Sequence, residues 1–226
     1  MKNLFIVFTL LLVSSSYAQQ KTNKLPQGFV YITDYIPNIQ TDIRYYGSDN
    51  FIGKPVKGYT KEVAIFTKSA TEALAKVEKE LNSKNLGLKI FDAYRPQRAV
   101  NHFKQWATAI NDTLTKAKYY PSVDKRNLFK DGYIASKSGH SRGSTIDLTI
   151  IDLKTKKELD MGTIFDFLGP QSAHDYTGVN TTQRKNRALL KSVMVKYGFK
   201  PYAKEWWHYT YKNEPYKETY FDFIIQ

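Results

Sequence analysis

The chain has 226 residues, 42% hydrophobic and 15% aromatic, enough for one well-buried domain and too few for two comfortable ones. Its formal charge of +13 comes from lysines spread along the whole length, with no nucleic-acid-binding motif beside them, so no nucleic acid partner is expected. The absence of cysteine excludes disulfides, thiolate ligands and a lipid anchor on Cys, and leaves any metal to Asp, Glu or the four histidines.

Residues 1–18 differ in kind from the rest. Lys2 precedes an apolar run from Leu4 to Val13, and Ser16-Tyr17-Ala18 places small residues before a cut after Ala18. This predicts a secretory signal peptide, and hence an exported, periplasmic protein. The run is too short for the ~20 residues of a membrane span, so no transmembrane segment is expected after cleavage. Residues 19–28 read as a polar lead-in, and 29–226 as one domain.

Within that domain, Asp42 to Tyr46 reads as a short strand, followed by turn chemistry from Asp49 to Gly53. Ala70, Leu74, Val77 and Leu81 predict a helix over 69–86, with Gly87 as its left-handed cap. Leu88 to Ala93 reads as a buried strand delivering Tyr94 and Arg95. Pro96 opens a second helix whose inner face carries Val100, Phe103, Ala107 and Ile110. The lysine- and turn-rich stretch 111–136 has the character of a flap over a site. Residues 144–152 alternate, Ile146, Leu148 and Ile150 against Thr145, Asp147 and Thr149, which places Asp147 on a polar face backed by core. A third helix capped by Thr181 or Thr182 ends at Gly198, and a last aromatic strand runs from Trp206 to Tyr211. The order predicts an α+β fold, an antiparallel sheet with helices packed on one side.

Three blocks carry the chemistry. A strand ending at His140 and a return strand through Asp147 would bring an imidazole and a carboxylate together; alone, the pair reads equally as an ordinary hydrogen bond. Glu205-x-x-His208 adds a third ligand and a spare carboxylate, although His208 among Trp206, Trp207 and Tyr209 also reads as core. A glutamate beside two tryptophans is costly to bury unpaired, and low polarity would raise its pKa toward that of a general base. In a regular strand Glu205 and His208 would face opposite sides, so either Glu205 sits on the turn before the strand or the strand bulges. Two His and one Asp leave a coordination position open, as catalytic zinc requires. Arg95, rigidly placed before Pro96, is either a stabiliser of developing oxyanion charge or a structural ion pair.

The blocks Asp92-Ala93-Tyr94-Arg95-Pro96, Ser138-Gly139-His140 through Asp147, and Glu205-Trp206-Trp207-His208-Tyr209 resemble those of the zinc D-alanyl-D-alanine dipeptidases. The likeness extends through Asp49 to Val56, Met161-Gly162-Thr163, Phe165-Asp166-Phe167 and Tyr220 to Phe223, nearly all of 29–226. The resemblance implies one Zn2+ per chain on His140, Asp147 and His208, Glu205 as catalytic base and Arg95 as stabiliser of the tetrahedral intermediate. It also implies a small dipeptide substrate, with Asp166 near its free ammonium and Ser138 in the same pocket. An exported member of the group points to cell-wall peptide turnover or scavenging. The competing expectations are a D,D- or L,D-carboxypeptidase or endopeptidase acting on peptidoglycan peptides, and a non-catalytic wall-peptide-binding module. His102 is expected on a helix surface, and neither the role of His174 nor the oligomeric state follows from the sequence.

Overall fold

The computed structural model describes residues 25–226, so the expected signal peptide and most of the lead-in lie outside the described residues. Strand β1 (Phe29–Tyr31) runs into the one-turn helix α1 (Ile32–Tyr35), and β2 (Gln40–Thr41) follows. Strand β3 (Ile65–Thr67) leads into helix α2 (Lys68–Asn82), then β4 (Leu86–Asp92) and helix α3 (Gln97–Thr108). The single turn α4 (Lys116–Tyr119) precedes β5 (Thr145–Asp152), helix α5 (Thr181–Lys196), β6 (Phe199–Pro201) and β7 (His208–Tyr211).

Five strands form one sheet in the order β2-β4-β5-β7-β6, while β1 and β3 pair separately. The α+β class holds, with one refinement: β2 lies parallel to β4 at the edge, so the sheet is mixed, and every other pairing in it is antiparallel. Ile146, Leu148 and Ile150 are fully buried on one face of β5, where α2 and α5 contribute Leu74, Val77, Leu81, Leu190, Val193 and Met194. Each such side chain contributes roughly 1.5–3 kcal/mol through burial. The opposite face carries Asp147. Because β7 is antiparallel to β5 with Asp147 opposite His208 and Thr145 opposite Thr210, these four side chains share that face. The 2.8 Å contact between the Thr145 and Thr210 hydroxyls marks the register.

Several boundaries depart from expectation for local reasons. Helix α2 stops at Asn82, and Asn85, not Gly87, takes the left-handed conformation (φ 58°). Gly87 belongs to β4, where a Cβ would stand 2.7 Å from the Leu153 side chain. Only Gln40–Thr41 pairs as strand; the Asp42 and Arg44 amides still donate to the Ile90 and Phe91 carbonyls, and the chain then turns, with the Tyr46 amide on the Ile43 carbonyl. Pro96 is the residue preceding α3 rather than its first, and Ile110 lies past the helix end, 42% exposed. Asn180, bonded reciprocally with Gln183, caps α5 in place of a threonine. No helix among the described residues is long and apolar enough to cross a membrane.

Candidate active site and metal centre

The polar face of the sheet opens into a cavity of ≈ 270 Å3 lined by Tyr45, Arg95, Ser138, Asp147, Asp166, Glu205 and His208 among others. Its outer wall comes from the predicted flap region, which contributes Gly132, Tyr133, Ile134 and Ala135. The three blocks, spread over more than a hundred residues of sequence, therefore meet in one place.

His140 is not on a strand. It sits on a 3-10 turn, Gly139–Arg142, whose first amide is capped by the Ser138 hydroxyl (3.3 Å to the His140 N–H). Gly143 closes the turn at φ 80°, and any Cβ there would meet the Phe29 ring at 2.2 Å. The turn is fixed from outside as well: the Gly143 carbonyl accepts from Thr67 and the His140 carbonyl from Arg95. A return into β5 then brings Asp147 to the same point.

Glu205 lies on the turn that precedes β7, the first of the two expected arrangements, since β7 begins only at His208. The Glu205 carbonyl accepts from His208, and the Trp206 amide is bonded to the Ser172 carbonyl at 2.9 Å. Both tryptophans are buried, and the Trp206 indole donates to Thr163 at 2.8 Å.

His140, Asp147 and His208 offer one ligand atom each, all within 4.8 Å of one another. The donor chemistry suits a metal ion. The His140 Nδ1–H donates to the Ala93 carbonyl at 2.7 Å, which leaves Nε2 with its lone pair turned toward His208 Nδ1, 3.4 Å away. Asp147 Oδ1 lies 3.0 Å from His208 Nδ1 but is misaligned for a hydrogen bond, so this buried oxygen has no hydrogen-bond partner. A carboxylate oxygen in that state fits a metal ligand better than an ion pair. Burial opposes the charge on Asp147, yet the two imidazoles hold its pKa below the ordinary range.

Three further carboxylates surround this triad. Glu205 Oε2 is 3.4 Å from His208 Nδ1, and burial pushes its carboxyl up to about 7. Asp166 is buried with its pKa raised well above normal by desolvation, with the Asp147 charge adding to it; Tyr45 donates to it at 2.8 Å. Asp92, 1% exposed, accepts from Arg95 Nε (2.8 Å) on Oδ2 and from Tyr59 (2.7 Å) on Oδ1. Arg95 thereby lies in a fixed cradle: Asp92 on one side, Asp147 3.3 Å from Nη2, and the rings of Tyr45 and Phe103 at 5.1 and 5.0 Å. Of the two readings of Arg95 the ion pair is present, and it does not withdraw the guanidinium from the cavity, which Arg95 lines.

Of the seven residues singled out in the sequence, Asp147, His208, Glu205, Arg95, Asp166 and Ser138 line this one cavity, and His140, fully buried, lies behind it with Nε2 3.4 Å from His208 Nδ1. Residue-level reading missed Tyr45, Tyr59 and Asp92 as working parts, because a tyrosine hydroxyl bonded across 121 or 33 residues has no local signature. His174 lines a separate cavity with Arg184, Arg187 and Lys191, and His102 sits near the surface accepting from the Lys57 amide.

A family model described as D-ala-D-ala dipeptidase matches residues 26–226. The chain belongs to that family. It is similar to the D-alanyl-D-alanine dipeptidase of Enterococcus faecium, 42% identical over 199 residues that cover 88% of this chain and 98% of that protein. The Streptomyces coelicolor enzyme of the same name is 42% identical over 197 residues, 87% and 98% of the two chains. The Escherichia coli one is 31% identical over 173 residues, 76% and 79%. Membership and the His/Asp/His cluster together make the chain a zinc-dependent peptide hydrolase for bonds of the D-Ala-D-Ala type.

Proposed function

We propose that the substrate is the free dipeptide D-Ala-D-Ala, and that residues 29–226 form one catalytic unit acting outside the cytoplasm. The observation that carries this reading is Asp166. A buried carboxylate lines a cavity of only ≈ 270 Å3 together with Asp147 and His208, where an uncapped amino terminus would supply a counter-charge. A longer, N-blocked peptide offers no cation for that carboxylate.

In this reading His140, Asp147 and His208 hold the zinc. Bound there, zinc supplies Lewis acidity, which acidifies water and polarises the scissile carbonyl. Glu205, next to His208 and poised near neutrality, takes the proton from the attacking water and returns it to the leaving amine. Arg95 stabilises the charge that develops on the carbonyl oxygen, at no reorganisation cost because its cradle fixes it beforehand. Tyr45 orients Asp166, which receives the substrate ammonium. Ser138 caps the His140 turn and presents its hydroxyl to the cavity.

The deciding measurement compares hydrolysis of D-Ala-D-Ala with that of N-acetyl-D-Ala-D-Ala by zinc-loaded protein. Strong preference for the free amine supports the dipeptidase; equal rates, or preference for the blocked peptide, favour a carboxypeptidase. Export rests on the leader-like residues 1–18, for which N-terminal sequencing of protein recovered from the cell envelope is the test; a chain still starting at Met1 refutes it.

A further inference from the structure

Arg187 is a buried cation, 3% exposed, that the catalytic scheme does not use. It lies on α5, and its guanidinium spends its donors on main-chain carbonyls: Nε on Met161 (2.7 Å), Nη1 on Ala173 (2.8 Å) and Nη2 on Gln171 (2.9 Å). Those acceptors are the two ends of one loop, 161–173. Midway along it stands Asp166, held at φ 60°, a conformation that costs a non-glycine residue about 1–3 kcal/mol and persists only when its surroundings enforce it.

The same loop touches the other half of the site. The Thr163 hydroxyl accepts from the Trp206 indole, and the Ser172 carbonyl accepts from the Trp206 amide. The His174 amide, just past the loop, donates to the Ala203 carbonyl at 3.0 Å. Inside the loop, the Ser172 hydroxyl ties back to the Phe167 carbonyl at 2.6 Å. One guanidinium thus fastens both ends of a segment that carries Asp166 at its middle and braces the turn bearing Glu205. A planar fork suits three carbonyls spread around it; a lysine ammonium, a single point on a flexible stem, does not.

We propose that Arg187 is a positioning residue that sets selectivity for a free amino terminus, by clamping the 161–173 loop so that Asp166 faces the cavity at a fixed depth. This rests on the role given above to Asp166. The test uses zinc-loaded wild type, Arg187→Met and Arg187→Lys, each checked for zinc content and melting temperature. Steady-state kcat and KM are measured for D-Ala-D-Ala and for its N-acetyl derivative. The expected result is a fall of at least about tenfold in the preference for the free amine in Arg187→Met, carried largely by KM for the free dipeptide, with partial recovery in Arg187→Lys. A folded, zinc-replete Arg187→Met that keeps the wild-type preference, or loses rate on both substrates in equal proportion, overturns the proposal. Should Arg187→Met fail to fold, the preference measured in Arg187→Lys decides: wild-type preference there overturns it, and reduced preference supports it. A wild type that shows no preference defeats the reading of Asp166 and this inference with it, whereas wild-type preference surviving in the variants defeats this inference alone.

Discussion

Arg95→Lys separates the charge of this residue from its geometry. Arg95 reaches two buried carboxylates at once, Asp92 Oδ2 at 2.8 Å and Asp147 Oδ2 at 3.3 Å, while its plane lies near the Tyr45 and Phe103 rings. A lysine keeps the positive charge beside Asp92 but loses the fork that aims a second set of N–H groups at the cavity. Removing one preorganised donor to an oxyanion costs about 100- to 1000-fold in kcat, and Arg95→Lys is expected toward the lower end, with KM little changed. Arg95→Met removes the charge too. It leaves Asp92 buried with only the Tyr59 hydroxyl and the His140 ring, 3.5 Å away, beside it, and breaking such a pair costs about 3–5 kcal/mol. At roughly 2–4 °C per kcal/mol for a chain of this size, melting falls by about 6–20 °C. A D-alanine-release assay with separate kcat and KM, run beside thermal melts of zinc-loaded protein, reads both effects. An Arg95→Lys variant within about threefold of wild-type kcat would refute the oxyanion role, and an Arg95→Met variant that melts like wild type would refute the burial argument.

Glu205→Gln keeps size and polarity but abolishes proton acceptance, so kcat should drop by about 100- to 10,000-fold while zinc content stays at wild type; full activity refutes a base at this position. Chelation should abolish turnover, restored by added zinc, and should lower the melting temperature because the ion binds only the folded site; unaltered melting on stripping would argue against His140, Asp147 and His208 as its ligands. Gly143→Ala forces a Cβ to within 2.2 Å of Phe29 at a backbone φ of 80°, so stability should fall by about 1–3 kcal/mol and zinc should be held less tightly, read by melting and by competition with a chelator.

What could be read from the chain follows the range of each interaction. The alternation of Ile146, Leu148 and Ile150 with Thr145, Asp147 and Thr149 is a local pattern, and it correctly put Asp147 on a face backed by core. The opposite-sides argument for Glu205 and His208 also works within a few residues; it required a turn or a bulge, and the turn before β7 is the one present. The 3-10 turn at His140 was harder. It depends on the Ser138 cap, but also on Thr67 and Arg95, which meet it from elsewhere in the chain. The Tyr45–Asp166 and Tyr59–Asp92 bonds were not legible at all: with 17 tyrosines in the chain, nothing local marks the two whose hydroxyls reach buried carboxylates.

Charge balance ties these parts into one requirement. Asp92, Asp147, Asp166 and Glu205 surround the cavity and its wall, while Arg95 is the guanidinium set among them. With both imidazoles neutral as ligands, four carboxylates against one guanidinium leave three negative charges in a poorly solvated space. In that state burial drives Asp92, Asp166 and Glu205 all toward protonation. A dication on His140, Asp147 and His208 cancels two of the three; an unblocked dipeptide is a zwitterion and leaves the total unchanged, but on the proposed reading its ammonium sets a local counter-charge beside Asp166. On this proposed reading, the buried carboxylates are matched locally when metal and a free amino terminus are both in place. Acylating the amine restores the imbalance at Asp166, the carboxylate whose conformation Arg187 holds. On that reading the expected rejection of blocked peptides is an electrostatic effect centred on Asp166, and it should weaken in Asp166→Asn, which removes the charge without changing the cavity's shape.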